Sequence, residues 1–363
     1  MGSEMCIRDS SKMDFPMTRR MIILTEGNSN PHTAKTACCL IRYKREEVVA
    51  VLDSTQSGTT EQALGVGADV PFVSSLEQAP DANTLLIGIA PPGGKIPESW
   101  RSVILDAIGR GMDVISGLHD FLGDDPEFSA AASRQGVTIR DVRRNDEKTI
   151  ARRTGLREEC LRIHTIGHDC SIGKMVTSVE LTRALNERGN DTKFIATGQT
   201  GILIEGDGIP LDCVKADFVS GAAERMVLEH QHHEILMIEG QGSLVHPSYS
   251  GVTLSLLHGC HPHGLILCYE IGRHKVTGID HLAIPPLAEI LKLNESLASI
   301  SFPCSVIGIS VNSRRATPAE ADAERDRLRD EFGLPVADVF RDGPGELVDA
   351  ILQLQQQRLK DGN

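Results

Sequence analysis

One stretch constrains this chain more than any other: Arg162-Ile163-His164-Thr165-Ile166-Gly167-His168-Asp169-Cys170-Ser171-Ile172-Gly173-Lys174-Met175. An apolar strand over 163–166 runs into a loop bounded by glycines. Gly173-Lys174 then opens a helix with apolar positions at Met175, Val176, Val179 and Leu181. Strand, glycine-rich loop, lysine and helix are the parts of a phosphate cradle. Backbone N–H groups point inward, the helix N-terminus adds partial positive charge, and the lysine neutralises an oxygen. The rest of the chain is expected to be built around this loop.

The flanking sequence supplies strands and helices in alternation. Before the loop, strands are predicted at 21–24, 48–52, 70–73, 84–89, 112–115 and 137–142, with helices over 34–43 and 99–110. After it, strands are predicted at 192–196, 234–238, 264–268, 306–311 and 336–339, with helices over 214–229, 318–331 and 345–359. Strands alternating with helices imply parallel, doubly wound sheets. The expected fold is α/β: an N-terminal Rossmann-like domain over 21–150 and a C-terminal phosphate-loop, parallel-sheet domain over 151–363, preceded by a tag-like or disordered extension at 1–20. The chain of 363 residues has room for two such cores.

Composition narrows the partners. A formal charge of −13 argues against non-specific binding of nucleic acid. The apolar runs are strand-sized, so no membrane span is expected. Nine cysteines, an odd number and without a Cys-x-x-Cys pair, argue against a zinc site or disulfide framework and fit a reducing cytoplasm. No metal is expected, and His258, His261 and His263 read as exposed turn histidines. Two further strand ends are ambiguous. Asp53 stands where a Rossmann-like domain holds a ribose hydroxyl, but the G-x-G-x-x-G fingerprint is missing and a strand-end turn residue is the other reading. The loop Ala90-Pro91-Pro92-Gly93-Gly94-Lys95 is either a ligand-collecting strand end or a plain turn.

The loop departs from the common phosphate-loop spacing. Five residues separate Gly167 from Gly173, and Met175 stands where serine or threonine would bind Mg²⁺. Gly167, Asp169, Ile172, Gly173 and Lys174 resemble the longer loop of dethiobiotin synthetase and related proteins. Glu239-Gly240-Gln241-Gly242 resembles the segment after that family's acidic strand, and Asn312 its purine-contacting asparagine. The substrate lysine of the synthetase has no counterpart in Thr197-Gly198-Gln199-Thr200-Gly201. Losing both that lysine and the metal hydroxyl argues against ATP-driven carboxylation. A cradle without the metal ligand can instead hold the diphosphate of coenzyme A, in which no phosphate bond is broken.

From about residue 21 to 355 the chain also resembles the DUF1611 family. The resemblance is carried by Lys35-Thr36-Ala37 with Arg42-Tyr43, by Gly88-Ile89-Ala90-Pro91-Pro92-Gly93-Gly94, and by Ser116-Gly117-Leu118-His119. It extends through the phosphate loop, Gly198-Gln199-Thr200-Gly201, and Glu239 to Leu244 with His246-Pro247 and Tyr249-Ser250-Gly251-Val252-Thr253. It implies an N-acetyltransferase that moves the acetyl group of acetyl-CoA to D-glutamate, alongside a racemase acting on the N-acetylated product. A homo-oligomer is also expected. The alternatives are an ATP/Mg²⁺-dependent kinase or ligase, or a non-catalytic nucleotide- or CoA-binding module.

Acetyl transfer needs a base for the amine, donors for the oxyanion, partners for the substrate carboxylates, and a cradle for the cofactor phosphates. Gly167, Cys170, Ser171, Gly173, Lys174 and Met175 are the expected cradle, with Asn312 at the adenine. Glu239 is the first candidate base, Asp169 the second and His246 the third; each of the two carboxylates also reads as a brace for its own loop. Arg273, with Lys275, is expected at a substrate carboxylate, and Ser243, Tyr249 and Thr253 at the oxyanion or substrate. Direct attack by the amine is simpler than an acyl intermediate on Cys170.

Overall fold

The computed structural model describes residues 19–89, 94–300 and 302–361. The expected extension at 1–20, apart from its last two residues, and Ala90-Pro91-Pro92-Gly93 lie outside the described residues. The chain forms two compact units. One comprises the residues up to Asn145 together with Gln199–Cys213, and the other Asp146–Gly198 with Val214 onward.

In the first unit, β1 (Met21–Leu24), β2 (Val48–Leu52), β3 (Phe72–Val73), β4 (Thr84–Ile87), β5 (Asp113–Ser116) and β6 (Ile139–Asp141) form one parallel sheet, ordered β3-β2-β1-β4-β5-β6. β1 is buried at all four positions, as its unbroken Met-Ile-Ile-Leu run requires of a strand covered on both faces. α1 (Lys35–Tyr43), α2 (Thr60–Leu64), α3 (Arg101–Gly109) and α4 (Pro126–Gln135) supply the connections. Sequence periodicity does not find two of these, whose ends are marked by side-chain caps. α2 starts in a Thr59/Gln62 capping box and ends at left-handed Gly65. α4 has Asp125 as its N-cap, Pro126 in its first turn and left-handed Gly136 behind it.

The excursion Gln199–Cys213 begins with α6 (Gln199–Glu205), a helix that sequence reading does not find. Its Thr200 hydroxyl lies 3.1 Å from that of Thr36 on α1. A Cβ on Gly117 would come within 1.4 Å of Gln199 Oε1, so a side chain there would have to displace Gln199. Asp53 takes the turn role: its buried carboxylate accepts from the N–H groups of Gly27 and Thr55 and the hydroxyls of Ser29 and Thr55.

In the second unit, β7 (Leu161–Gly167), β8 (Thr192–Ile195), β9 (Ile235–Ile238), β10 (Gly264–Glu270), β11 (Ser305–Asn312) and β12 (Val336–Ala337) also pair in parallel, in the order β12-β11-β10-β7-β9-β8. The chain fills one side of β7 with β8 and β9, then crosses to the other with β10. The strand order therefore reverses beside β7, where open α/β sheets bind ligands. α5 (Lys174–Glu187) and α11 (Gly345–Asp361) cover one face through Leu181, Leu185, Leu347 and Ile351. α8 (Ser250–Cys260), α9 (Leu287–Ala298) and α10 (Pro318–Phe332) cover the other through Leu257, Ile290 and Leu328, and α7 (Val219–His230) packs on α8. Sequence reading does not find α9.

The histidine cluster differs from expectation. His261 and His263 are buried, not exposed, because they enclose the fully buried Arg162. Its Nε donates to the His261 carbonyl at 2.7 Å, and its backbone N–H to His263 Nδ1 at 3.1 Å. Among the described residues the cysteines are free thiols, and no helix is long and apolar enough to cross a membrane.

Candidate phosphate-binding site

Strand register brings the predicted strand ends to one edge of the second sheet. Gly167 pairs with Cys268, Glu270 with Asn312, and Ile238 with both His164 and Ile195. The loop 168–173 thus lies beside Glu239 and the segments after β10 and β11.

The loop reverses through two left-handed residues, Ser171 (φ 55°) and Gly173 (φ 114°), and α5 starts at Lys174. Successive backbone turns of this kind gather N–H groups into an anion-binding concavity. Lys174 is almost fully buried. Its Nζ reaches across the loop to the Asp169 carbonyl at 2.8 Å, and burial lowers its pKa. A bound anion would oppose that shift and hold the charged form. Glycines give the stem room: a Cβ on Gly240 would lie 1.7 Å from the Thr165 carbonyl oxygen and 3.0 Å from Lys174 Cδ. Met175 is half-buried in the first turn and offers no hydroxyl. Below it, Thr177 bonds Ser310 at 2.8 Å and Ser178 bonds Thr165 at 3.0 Å, fastening α5 to the sheet.

Asp169, Cys170 and His246 come together, with one ligand-type atom of each within 4.8 Å of the others. Asp169 Oδ2 accepts from Arg273 (2.9 Å), from the Thr277 N–H (3.0 Å) and from the Thr277 hydroxyl (2.5 Å), while its buried Oδ1 has no hydrogen-bond partner among the described residues. Burial alone would raise its pKa, but the bonds from Thr277 and Arg273 outweigh it and hold the carboxyl below the usual range. Arg273 also pairs with buried Glu270, which Arg314 contacts at 2.5 Å. Its guanidinium therefore joins two carboxylates rather than standing ready for a substrate.

The other candidates occupy bracing positions. Glu239 Oε2 accepts the N–H groups of Thr197 (2.8 Å) and Gly198 (3.1 Å). His246 Nδ1 accepts from the Ser248 N–H and Nε2 donates to the Thr277 carbonyl, which defines a neutral tautomer. Asn312 donates to the Ile172 carbonyl and accepts from the Arg314 N–H, tying the loop to β11. The Thr253 hydroxyl lies 2.8 Å from the carbonyl of Gln241, in the loop after β9, and 3.0 Å from that of Tyr249, one turn back, and its hydrogen serves these two acceptors. Ser243 is buried and accepts from the Val245 N–H, whereas Tyr249 is half exposed and packs on the His246 ring. Sequence reasoning missed Thr277 and Glu270. Glu270 had a signal, an acid at a strand end three residues before an arginine; Thr277 had none.

A neighbouring cavity of about 380 Å³ is lined by His168, Tyr269, Arg273, Pro285, Pro286 and Arg327, among others. His168 donates weakly to the Cys268 carbonyl at 3.4 Å, and burial pulls its pKa down to about 4, so it is neutral.

A Rossmann-like sheet in one unit, and in the other a parallel sheet whose central strand feeds a glycine-rich loop and a buried lysine, define a two-domain phosphate-loop protein. Residues 148–348 match the family described as "Domain of unknown function (DUF1611_C) P-loop domain", and residues 54–145 match its companion "Rossmann-like domain". The chain belongs to the DUF1611 family. It is 41% identical over 292 residues to a protein from Tritonibacter scottomollicae named "D-glutamate N-acetyltransferase", covering 79% of this chain and 87% of that one. A protein of the same name from a Pseudoalteromonas species is 38% identical over 268 residues, covering 74% of this chain and 80% of that one. The crystal structure of a DUF1611 family protein from Anabaena variabilis superposes with a TM-score of 0.87 at 38% identity, covering 92% of this chain and 99% of that one.

Proposed function

We propose that this chain is an amino-acid N-acetyltransferase that moves the acetyl group of acetyl-CoA to the α-amine of D-glutamate. The amine nitrogen attacks the thioester carbonyl carbon, the carbon–sulfur bond breaks, and coenzyme A leaves as its thiol. Counted from the ammonium form of the substrate, one proton is released to solvent. The name shared by two relatives supports the substrate and the reaction class.

The observation that carries the cofactor is the loop itself. It keeps Lys174 and its turned backbone but presents Met175 where a Mg²⁺-binding hydroxyl would stand. A cradle of that kind suits phosphates that are held and not transferred. In this reading Lys174 and the loop N–H groups bind the diphosphate. Asp169, held ionised beside the loop by Thr277 and Arg273, is the carboxylate set against the substrate ammonium, whose proton leaves to solvent. Glu239, His246 and Asn312 fix the surrounding loops.

The test mixes protein, acetyl-CoA and D-glutamate and follows free thiol, beside an arm with ATP and Mg²⁺. Thiol release that depends on D-glutamate is expected, without ADP formation. Absence of thiol release with any amino acid refutes the transferase. Mg²⁺-dependent ADP release in its place would mark a kinase or ligase, and ligand binding without turnover a binding module.

A further inference from the structure

The motif Ser116-Gly117-Leu118-His119 takes no part in the phosphate loop, and in the first unit it ends beside two unusual neighbours. His119 Nδ1 lies 3.4 Å from Cys213 Sγ, and His119 Nε2 lies 3.9 Å from Asp212 Oδ2. One ligand atom from each of His119, Asp212 and Cys213 falls within 4.8 Å of the other two. Imidazole, thiol and carboxylate are the donor types that bind zinc, with bonds of about 2.0–2.3 Å. Tetrahedral angles between such bonds put nitrogen and sulfur about 3.6 Å apart. The observed 3.4 Å is within reach of that edge with a small rotation of either side chain.

Each donor is held independently. Arg143 donates to Asp212 Oδ2 from Nε (3.0 Å) and pairs with it from a terminal nitrogen (2.9 Å). This fixes the carboxylate and leaves Oδ1, which is buried and has no hydrogen-bond partner among the described residues. Asn145 donates to the Cys213 carbonyl at 3.2 Å. The Asp120 N–H donates to the Gly94 carbonyl at 3.2 Å, and a side chain on Gly94 would collide with His119. Outer contacts that fix ligand orientation are the usual companions of a metal site. His119 is half exposed and lines a cavity of about 560 Å³ together with Lys95, Arg101 and Asp120.

The geometry points to a site for a late first-row divalent cation, Zn²⁺ by its donor set, formed by an imidazole nitrogen of His119, a carboxylate oxygen of Asp212 and Cys213 Sγ, with a fourth position open to the cavity. Cys213 binds as the thiolate and its proton goes to solvent. Arg143 stays on the outer carboxylate oxygen. The thiolate and the Asp212 carboxylate balance the ion's charge, with Asp120 close by. Three protein ligands and one open position form the pattern of sites that bind an exchangeable oxygen ligand.

Co²⁺ is the probe, added to full-length protein freed of metal by chelation. One equivalent is expected to bind with a near-ultraviolet thiolate-to-cobalt charge-transfer band and intense four-coordinate visible bands, both removed by Zn²⁺. Cys213→Ser abolishes the charge-transfer band, His119→Asn weakens binding at least tenfold, and Cys170→Ser leaves the spectrum unchanged. Zn²⁺ raises the melting temperature of the wild type and not of Cys213→Ser. Absence of the charge-transfer band, or a band that survives Cys213→Ser, overturns the assignment. Loss of the band in Cys170→Ser would move the ion to the phosphate loop and overturn it equally.

Discussion

Replacing Arg273 by methionine keeps the aliphatic stem and removes the guanidinium. That group is 7% exposed and joins two carboxylates with no exposed side-chain surface, Asp169 and Glu270. Deleting one partner of a buried ion pair costs about 3–5 kcal/mol, mostly for stranding the other charge. Here both carboxylates keep other partners: Thr277 still donates twice to Asp169, and Arg314 still pairs with Glu270. The expected loss is therefore at the lower end, about 3 kcal/mol. The pH dependence has a definite sign. Asp169 is held below its unfolded value, so its stabilising contribution is complete above that value, about 3.9, and is lost as pH falls through the folded one. Without Arg273, burial pushes the carboxyl upward, so the gap between variant and wild type narrows as the solution approaches pH 4. Urea unfolding followed by far-ultraviolet circular dichroism measures this. The single tryptophan, Trp100, belongs to the other unit, so its fluorescence does not report on this one. Adding Asp169→Asn to the variant should recover at least about 1 kcal/mol by removing the stranded charge. A loss below about 0.5 kcal/mol at pH 7, or simple additivity of the two substitutions, would refute the reasoning.

Three further outcomes follow from the same geometry. Lys174→Ala should weaken coenzyme A binding by roughly 1–3 kcal/mol in calorimetry, as for loss of a charged hydrogen-bond donor; unchanged affinity would mean that the loop is not the cradle. Gly240→Ala puts a methyl group 1.7 Å from the Thr165 carbonyl, so soluble yield of folded protein should collapse, whereas Gly251→Ala, with open space around its Cβ, should express normally. His164 is wholly buried and its pKa is lowered to about 3, so below about pH 6.5 the unfolded chain takes up a proton that the folded one refuses. Stability should then fall by up to about 1.4 kcal/mol per pH unit from this residue, and His164→Asn should flatten that slope in acid unfolding curves.

Strand positions are read readily because parallel strands covered on both faces must be continuous apolar runs, as at Met21–Leu24 and Ile235–Ile238. The phosphate loop is equally plain, since few other structures place Gly-Lys directly after a strand and turn. Helices are harder where capping replaces periodicity: α2 and α4 are announced by Thr59 with Gln62 and by Asp125-Pro126, which are two-residue signals. α6 hides behind Gly198 and Gly201, and its place in the first unit depends on contacts with Thr36 and Gly117 from distant parts of the chain.

The sequence by itself determined the strands, the α/β class, the phosphate loop with its missing hydroxyl, and the residues that share a sheet edge. Those properties depend on local propensity and on period, which a chain carries along its length. Only the tertiary structure decided what the polar side chains do. Arg273 turned from a substrate partner into the link between Asp169 and Glu270, and Asn312 from an adenine contact into a strap on the loop. His119 became a neighbour of Asp212 and Cys213 although it lies 93 positions before Asp212 in the chain. A buried charge or amide takes whichever partner the fold brings within about 3 Å, and that partner is fixed by packing across the chain, beyond what residue type or spacing encodes.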